Sequence, residues 1–242
     1  MVAPEAPFAG MWGWMATLCG WLLQGLEWLA SATGSWGVAI ILLAVLVRAA
    51  MYPFARRALR EQKRFNEMQV RLKPALAEIK ARYKGGEQVE HIELLYRSHD
   101  VNPAAGMKPL LLVLLQLPIL IALFQILLHA PQLQGVGFLG IADLSRPDGM
   151  VGLGAALPWF GNTLNLLPFG LVASLMLGAL FVPGEADAAA ARRRLWITAA
   201  MAIVFFVLFY SFPAGLVLYW IATNLLAAGQ QALVALRGKP DR

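Results

Sequence analysis

The chain has 242 residues, 59% of them hydrophobic and 14% charged, with a mean hydropathy of +0.62. So little charge cannot cover the surface of a soluble domain of this length, and the sequence reads as an integral membrane protein. The net charge of +6 is informative only through its distribution, and the lone Cys19 excludes an internal disulfide framework and a cysteine-based metal site.

The N-terminal segment, residues 1–34, has no basic run before its first apolar stretch and so does not look like a cleaved signal peptide. Leu18 stands before Cys19 where a lipoprotein acceptor would need a small residue. Trp12–Ser31 reads as an amphipathic helix. Trp14, Leu18, Trp21, Leu22, Trp28 and Leu29 share one face, while Thr17, Gln24, Glu27 and Ser31 recur on the other. Four of the eight tryptophans lie here, which favours a helix in the membrane interface over a sixth span.

An apolar helix needs about 20 residues to cross hydrocarbon at about 1.5 Å per residue. Five segments approach that standard: Ser35–Phe54, Gly106–Leu128, Leu164–Val182, Leu195–Phe212 and Pro213–Leu236. They define a core over residues 35–236, followed by a short tail at 237–242. "SFPAG" between the last two predicts a tight hairpin. Apart from Arg48 there are 19 basic residues, and in a five-span layout 18 fall on one side. The positive-inside rule makes that side cytoplasmic, with the N-terminus outside and the C-terminus inside.

Residues 56–100, between the first two spans, are too patterned for a plain connection. Phe65, Met68, Leu72, Leu76, Ile79 and Tyr83 form a helical stripe, and Pro74 within it predicts a bend. "KGG" at Lys84–Gly86 breaks the helix, after which Val89, Ile92, Leu95 and Tyr96 form a shorter stripe. Two antiparallel helices packed through these stripes account for the pattern better than a solvated charged loop.

Chemistry-bearing motifs are missing from the sequence. "GVGFLG" at Gly135–Gly140 lacks the lysine of a phosphate loop, and His91, His99 and His129 are scattered. Neither catalysis, metal binding, a cofactor nor direct nucleic-acid recognition is expected.

Arg48 is the exception in the first span, "WGVAIILLAVLVRAAMYPF". An arginine in hydrocarbon costs about 2.5 to 3.5 kcal/mol on insertion scales. None of the 14 acidic residues falls inside a span, so Arg48 has no intramembrane carboxylate of its own. It lies six residues before Phe54, about 9 Å along a helix, so its stem could snorkel toward the cytoplasm. The alternative is a water-filled cavity lined by Gln116 in span two and by Trp220, Thr223, Asn224 and Gln231 in span five. Each of those is equally readable as an interhelical hydrogen-bonding residue.

Taken together, the motifs resemble the YidC/Oxa/Alb family of membrane protein insertases. They are the Arg48 segment, "MQVRLKPALAEIKARYKG" with "LLYRSHDVNPAAG", "LPILIALFQIL", "FLGIADLSRPD" and "FPAGLVLYWIATNLLAAGQQ", in family order from Trp36 to Gln231. The resemblance implies an all-α integral membrane fold. Five transmembrane helices would enclose a hydrophilic groove open to the cytoplasm, with an outer interfacial helix and a cytoplasmic helical hairpin. It implies an insertase and chaperone in the bacterial cytoplasmic (inner) membrane that hydrolyses no nucleotide. The groove residues would be Arg48, Gln116, Trp220, Thr223, Asn224 and Gln231. The partners would be nascent membrane proteins and the lipid bilayer, with the Sec translocon and the ribosome as further partners of the family. Lys108 departs from the pattern, since an apolar residue is usual there, and the short tail lacks a basic ribosome-binding extension. A small anion transporter using Arg48 as its binding site is the competing function. Paired halves of the inverted-repeat kind, which would favour it, are not evident.

Overall fold

The computed structural model describes residues 12–99, 108–157, 161–180 and 188–237. The "DVNPAAG" connection and the tail beyond Arg237 lie outside the described residues. Among those described the chain is mostly helical. In chain order the elements are α1 (Gly13–Thr33), α2 (Trp36–Arg82), α3 (Gly86–Ser98), α4 (Lys108–His129), β1 (Val151–Leu157), β2 (Gly161–Leu164), α5 (Leu167–Leu180), α6 (Ala188–Phe209) and α7 (Ala214–Arg237). The described residues fall into two compact units: residues up to Ala49 with those from Ile119 onward, and Ala50–Pro118.

Beside the helices the structure adds one short β-ladder that the sequence reading did not foresee. β1 and β2 pair antiparallel, Val151 opposite Leu164 and Gly152 opposite Thr163. Alternation is hard to see in "VGLGAAL" because glycine and alanine leave no hydrophobic pattern to read. Leu164, expected to open the third span, instead ends β2, and α5 begins only at Leu167. Its described part runs for 14 residues, to Leu180. Among the described residues, one helix is long and apolar enough to cross a membrane by length and composition, Trp36–Arg57. Gln116–His129 and Leu167–Leu180 are shorter apolar helices.

In the larger unit the core gathers around Ile40, Leu123, Ile126, Leu127, Leu144, Leu171, Leu216, Val217 and Tyr219. Helix α1 divides into three faces rather than two. Met15, Cys19, Leu26, Leu29 and Ala30 are buried on this core, whereas Trp14, Trp21 and Trp28, seven residues apart, are exposed. Thr17, Gln24, Glu27 and Ser31 lie beyond the tryptophan line. The single apolar face read from the sequence is therefore two: a core stripe and an exposed indole stripe beside the polar face.

Two close approaches hold the helix ends together. A Cβ built on Gly37 would fall far inside van der Waals contact with the Phe138 ring. One built on Gly215 would lie 2.9 Å from Leu127 Cδ2 and 3.1 Å from Ile40 Cδ1. Gly215 N donates to Leu144 O at 2.9 Å and Ala214 N to Arg146 O at 2.7 Å, so the start of α7 is bonded to the α4–β1 connection. A buried network secures the start of α5. Asp148 Oδ2 accepts from Leu166 N at 2.5 Å and Leu167 N at 3.3 Å, supplying an acceptor to amides that a helix start leaves open. Asn165 Oδ1 accepts from Gly149 N at 2.8 Å, and its Nδ2 donates to Tyr210 O at 2.7 Å.

In the smaller unit, α2 continues without a break through Pro53 and Pro74 to Arg82. The first span and the first hairpin helix are therefore one element. Gly85, at φ 65°, turns the chain into α3, and Tyr83 stacks on His91 with centroids 3.8 Å apart. Leu72 and Tyr96 are buried, one from each stripe, and Met68, Leu76, Ile79, Ile92 and Leu95 are partly buried. Val89 departs from its stripe and is 64% exposed.

Candidate functional site: an arginine inside an apolar span

Arg48 stands in the apolar stretch Trp36–Arg57 of α2, among Val45, Leu46 and Val47. Val45 and Leu46 are exposed and Arg48 is partly buried, so this turn of α2 turns its aliphatics outward and its guanidinium inward. The arginine Nε donates to Gln230 Oε1 on α7 at 3.2 Å. Tyr219 is fully buried on the same helix. Among the described residues no carboxylate forms an ion pair with Arg48, whereas Arg82 pairs with Glu78, Arg97 with Glu93 and Arg146 with Asp143.

The polar residues of α7 sort onto two faces. Tyr219, Thr223 and Gln230 recur at spacings of four and seven and share the Arg48 side; Trp220, Asn224 and Gln231 recur likewise on a neighbouring face. On that second face Trp220 packs against Phe205 at 5.4 Å and Phe209 at 5.0 Å, both from α6. Asn224 Nδ2 donates to Ser174 Oγ of α5 at 3.3 Å. Gln231 Oε1 is buried without a hydrogen-bond partner among the described residues. Thr223, buried, donates back to Tyr219 O at 2.9 Å within its own helix. Gln116 is partly buried and belongs to the smaller unit.

Of the six site residues named from the sequence, Arg48 alone is joined to a polar side chain across helices α2 and α7. The residue it meets, Gln230, is one position before the glutamine named. The i, i+4, i+11 spacing of Tyr219, Thr223 and Gln230 was the available signal, and merging two faces into one stripe hid it.

Chemically, a guanidinium held through Nε keeps its two terminal nitrogens directed away from that bond, the geometry that receives a carboxylate bidentately. No group of three or more His, Cys, Asp or Glu side chains suited to a metal occurs among the described residues.

The family model for the 60Kd inner membrane protein matches residues 28–240. The chain belongs to this family. The resemblance drawn from the motifs is upheld by curated relatives. The membrane protein insertase YidC of Cupriavidus taiwanensis is 32% identical over 95% of the chain and 37% of its own length. Those of Pelobacter propionicus and Syntrophobacter fumaroxidans are 32% and 33% identical over 92% and 91% of the chain. The chain spans 37–39% of the length of these relatives. A crystal structure of an active YidC insertase with its first transmembrane domain resolved superposes with a TM-score of 0.59. It is 26% identical, over 93% of this chain and 47% of that one. Family membership thus places the Arg48 site in a helical membrane protein akin to the YidC insertases.

Proposed function

We propose that this member of the 60Kd inner membrane protein family is an insertase and membrane chaperone. It accepts polar tails of nascent membrane proteins in a hydrated groove and releases their spans sideways into lipid, with no nucleotide hydrolysed. The observation that carries the reading is Arg48: a cation in the one clear span, held by a neutral amide and paired with no carboxylate among the described residues. A permanent counter-ion would satisfy the charge and silence it. An amide fixes its orientation and leaves the charge for an anion that arrives.

In this reading five helices surround the groove: the first part of α2, then α4, α5, α6 and α7. The N-terminus is outside, the C-terminus lies in the cytoplasm of a bacterial cell, α1 rests in the outer interface, and the helical segment 56–100 is cytoplasmic. Arg48 with Gln230 forms the polar centre. Gln231 contributes a further amide, and Trp220, Thr223 and Asn224 set the packing of the wall they stand on. The lateral path for clients is an apolar one. Helix α6 exposes Ile203, Val204, Val207 and Leu208, each by more than half, and such a face suits lipid. The Sec translocon and the ribosome belong to this proposal as partners beyond the bilayer and the clients.

The test uses the full chain in liposomes with a single-span client whose N-terminal tail carries several aspartates. Protease protection of the tail reports insertion. Arg48→Ala should lower insertion of that client about tenfold, the effect of about 1.4 kcal/mol, and should affect a neutral-tailed client far less. Arg48→Lys should keep most of the activity, since the charge remains although the fork is lost. Equal effects of Arg48→Ala on both clients would defeat the charge-based mechanism. Uptake of a small anion with no client inserted would favour the transporter instead.

A further inference from the structure

Helix α7 lies against α5 along one line. A Cβ built on Gly170 of α5 would stand 3.3 Å from Ile221 Cδ1, so the two helices approach closely there. Four residues further along α5, Ser174 Oγ accepts from Asn224 Nδ2 at 3.3 Å. Ile221, Asn224 and the buried Ala228 recur at i, i+3 and i+7, which is one face of α7. Gly170 and Ser174, at i and i+4, are likewise one face of α5.

The bond in this seam has a defined direction. Ser174, itself buried, donates its hydroxyl hydrogen to Leu171 O at 2.7 Å, so its oxygen is left to accept. The Asn224 amide supplies the donor, between an isoleucine and an alanine on its own face. A polar pair set between apolar helix faces fixes their register more sharply than aliphatic packing does. Thr223, the neighbouring residue, exerts no such hold, since its hydroxyl is bonded to Tyr219 O within α7.

Gln230, the partner of Arg48, comes six residues after Asn224. At about 100° per residue it points about 120° away from Asn224 and about 160° away from Ala228. Helix α7 therefore stands between α5 on one side and Arg48 of α2 on the other. A rotation of α7 on α5 moves Gln230 off the guanidinium and brings Gln231 toward it.

We propose that Ser174 and Asn224 are positioning residues for the Arg48 site: their bond sets the rotation of α7 and thereby brings Gln230 to the guanidinium. The consequence for clients rests on the insertase function, whereas the rotation is measured with no client present.

Cysteine pairs in the full chain, with Cys19→Ala and in liposomes, read the rotation. Arg48→Cys is combined with Gln230→Cys or with Gln231→Cys, and a short bis-maleimide joins the pair. Both combinations remove the Arg48–Gln230 bond, so any preference that survives comes from how α7 is seated. The 48–230 pair should join about fivefold faster than the 48–231 pair. Asn224→Leu, similar in volume, and Ser174→Ala should each cut that preference to about twofold or less, while Ser174→Thr, which keeps the acceptor oxygen, should retain it. A preference that persists in both Asn224→Leu and Ser174→Ala overturns the proposal, as does one lost equally in Ser174→Thr. With Arg48 and Gln230 in place, Asn224→Leu should also lower insertion of an acidic-tailed client about threefold. Unchanged insertion in a variant whose preference has collapsed upholds the positioning role and defeats the charge-based reading of Arg48.

Discussion

Arg48 and Gln230 stand 182 residues apart in the chain and meet at 3.2 Å, the arginine Nε donating to the amide oxygen. The contact ties the only charged side chain of the run Trp36–Phe54 to helix α7. If the amide acts by orienting the guanidinium, its loss should matter only while the guanidinium is present. Gln230→Leu should reduce insertion of an acidic-tailed client about threefold on its own, the effect of roughly 0.7 kcal/mol for one neutral–charged hydrogen bond near water. In the Arg48→Ala background it should reduce it no further. Additive losses in the double variant would show that the two side chains act separately.

Water around Arg48 is measurable by thiol chemistry. Cys19 is fully buried and is the only cysteine, so Cys19→Ala gives a silent background. In that background Arg48→Cys should react with a membrane-impermeant thiol reagent from the cytoplasmic side and not from outside. Leu139→Cys, at a position 77% exposed, should react only from outside, and Gly86→Cys only from the cytoplasm. A cysteine at position 48 that is inert from both sides means a snorkelling arginine with no hydrated groove.

Gly37 and Phe138 make a lock whose parts can be exchanged. Gly37→Ala places a methyl group where the Phe138 ring lies, and should lower thermal stability by about 1 to 3 kcal/mol through overpacking. Adding Phe138→Ala should relieve that increment, although the missing ring has its own cost. A Gly37→Ala penalty that persists unchanged without the ring would place the strain in the backbone instead.

The buried amide of Asn165 bonds to Gly149 N and Tyr210 O, joining the α4–β1 connection, the start of α5 and the end of α6. Asn165→Leu, similar in size, leaves those groups without the amide and should cost about 2 to 4 kcal/mol, read as a lower melting temperature in detergent. A melting temperature within a degree or so of the parent would mean that water substitutes for the amide.

Asp143 supplies a pH dependence outside the spans. Partial burial by itself pushes its carboxyl up. Hydrogen bonds from the hydroxyl and N–H of Ser145 (2.6 and 2.8 Å), a backbone bond involving Gly135, and the nearby Arg146 outweigh it and hold the carboxyl below its ordinary range. Because the folded value is depressed, the ionised carboxylate stabilises this turn above the ordinary carboxylate pKa. That contribution is lost as pH falls through the folded value. Hydrogen exchange at Ser145 N–H should therefore quicken at acid pH beyond the intrinsic trend, and Asp143→Asn should flatten the dependence.

The amino-acid sequence by itself determined the class of the protein, the helical character of most segments and the isolation of Arg48. Those rest on quantities summed along the chain: apolar runs, basic-residue placement, and the position of every carboxylate. It also showed the break at Lys84–Gly86, because glycine removes the side-chain restraint on φ whatever the surroundings. The tertiary structure decided what depends on two segments meeting. It chose Gln230 over Gln231 as the partner of Arg48, since one position turns a side chain by 100° and only the packing of α7 on its neighbours fixes that rotation. It divided the tryptophan helix into a buried and an exposed apolar stripe, because hydropathy cannot tell a residue facing a core from one facing lipid. It also placed a β-ladder where glycine and alanine leave no pattern: there the pairing is specified by backbone hydrogen bonds between two short runs, and no side chain announces it.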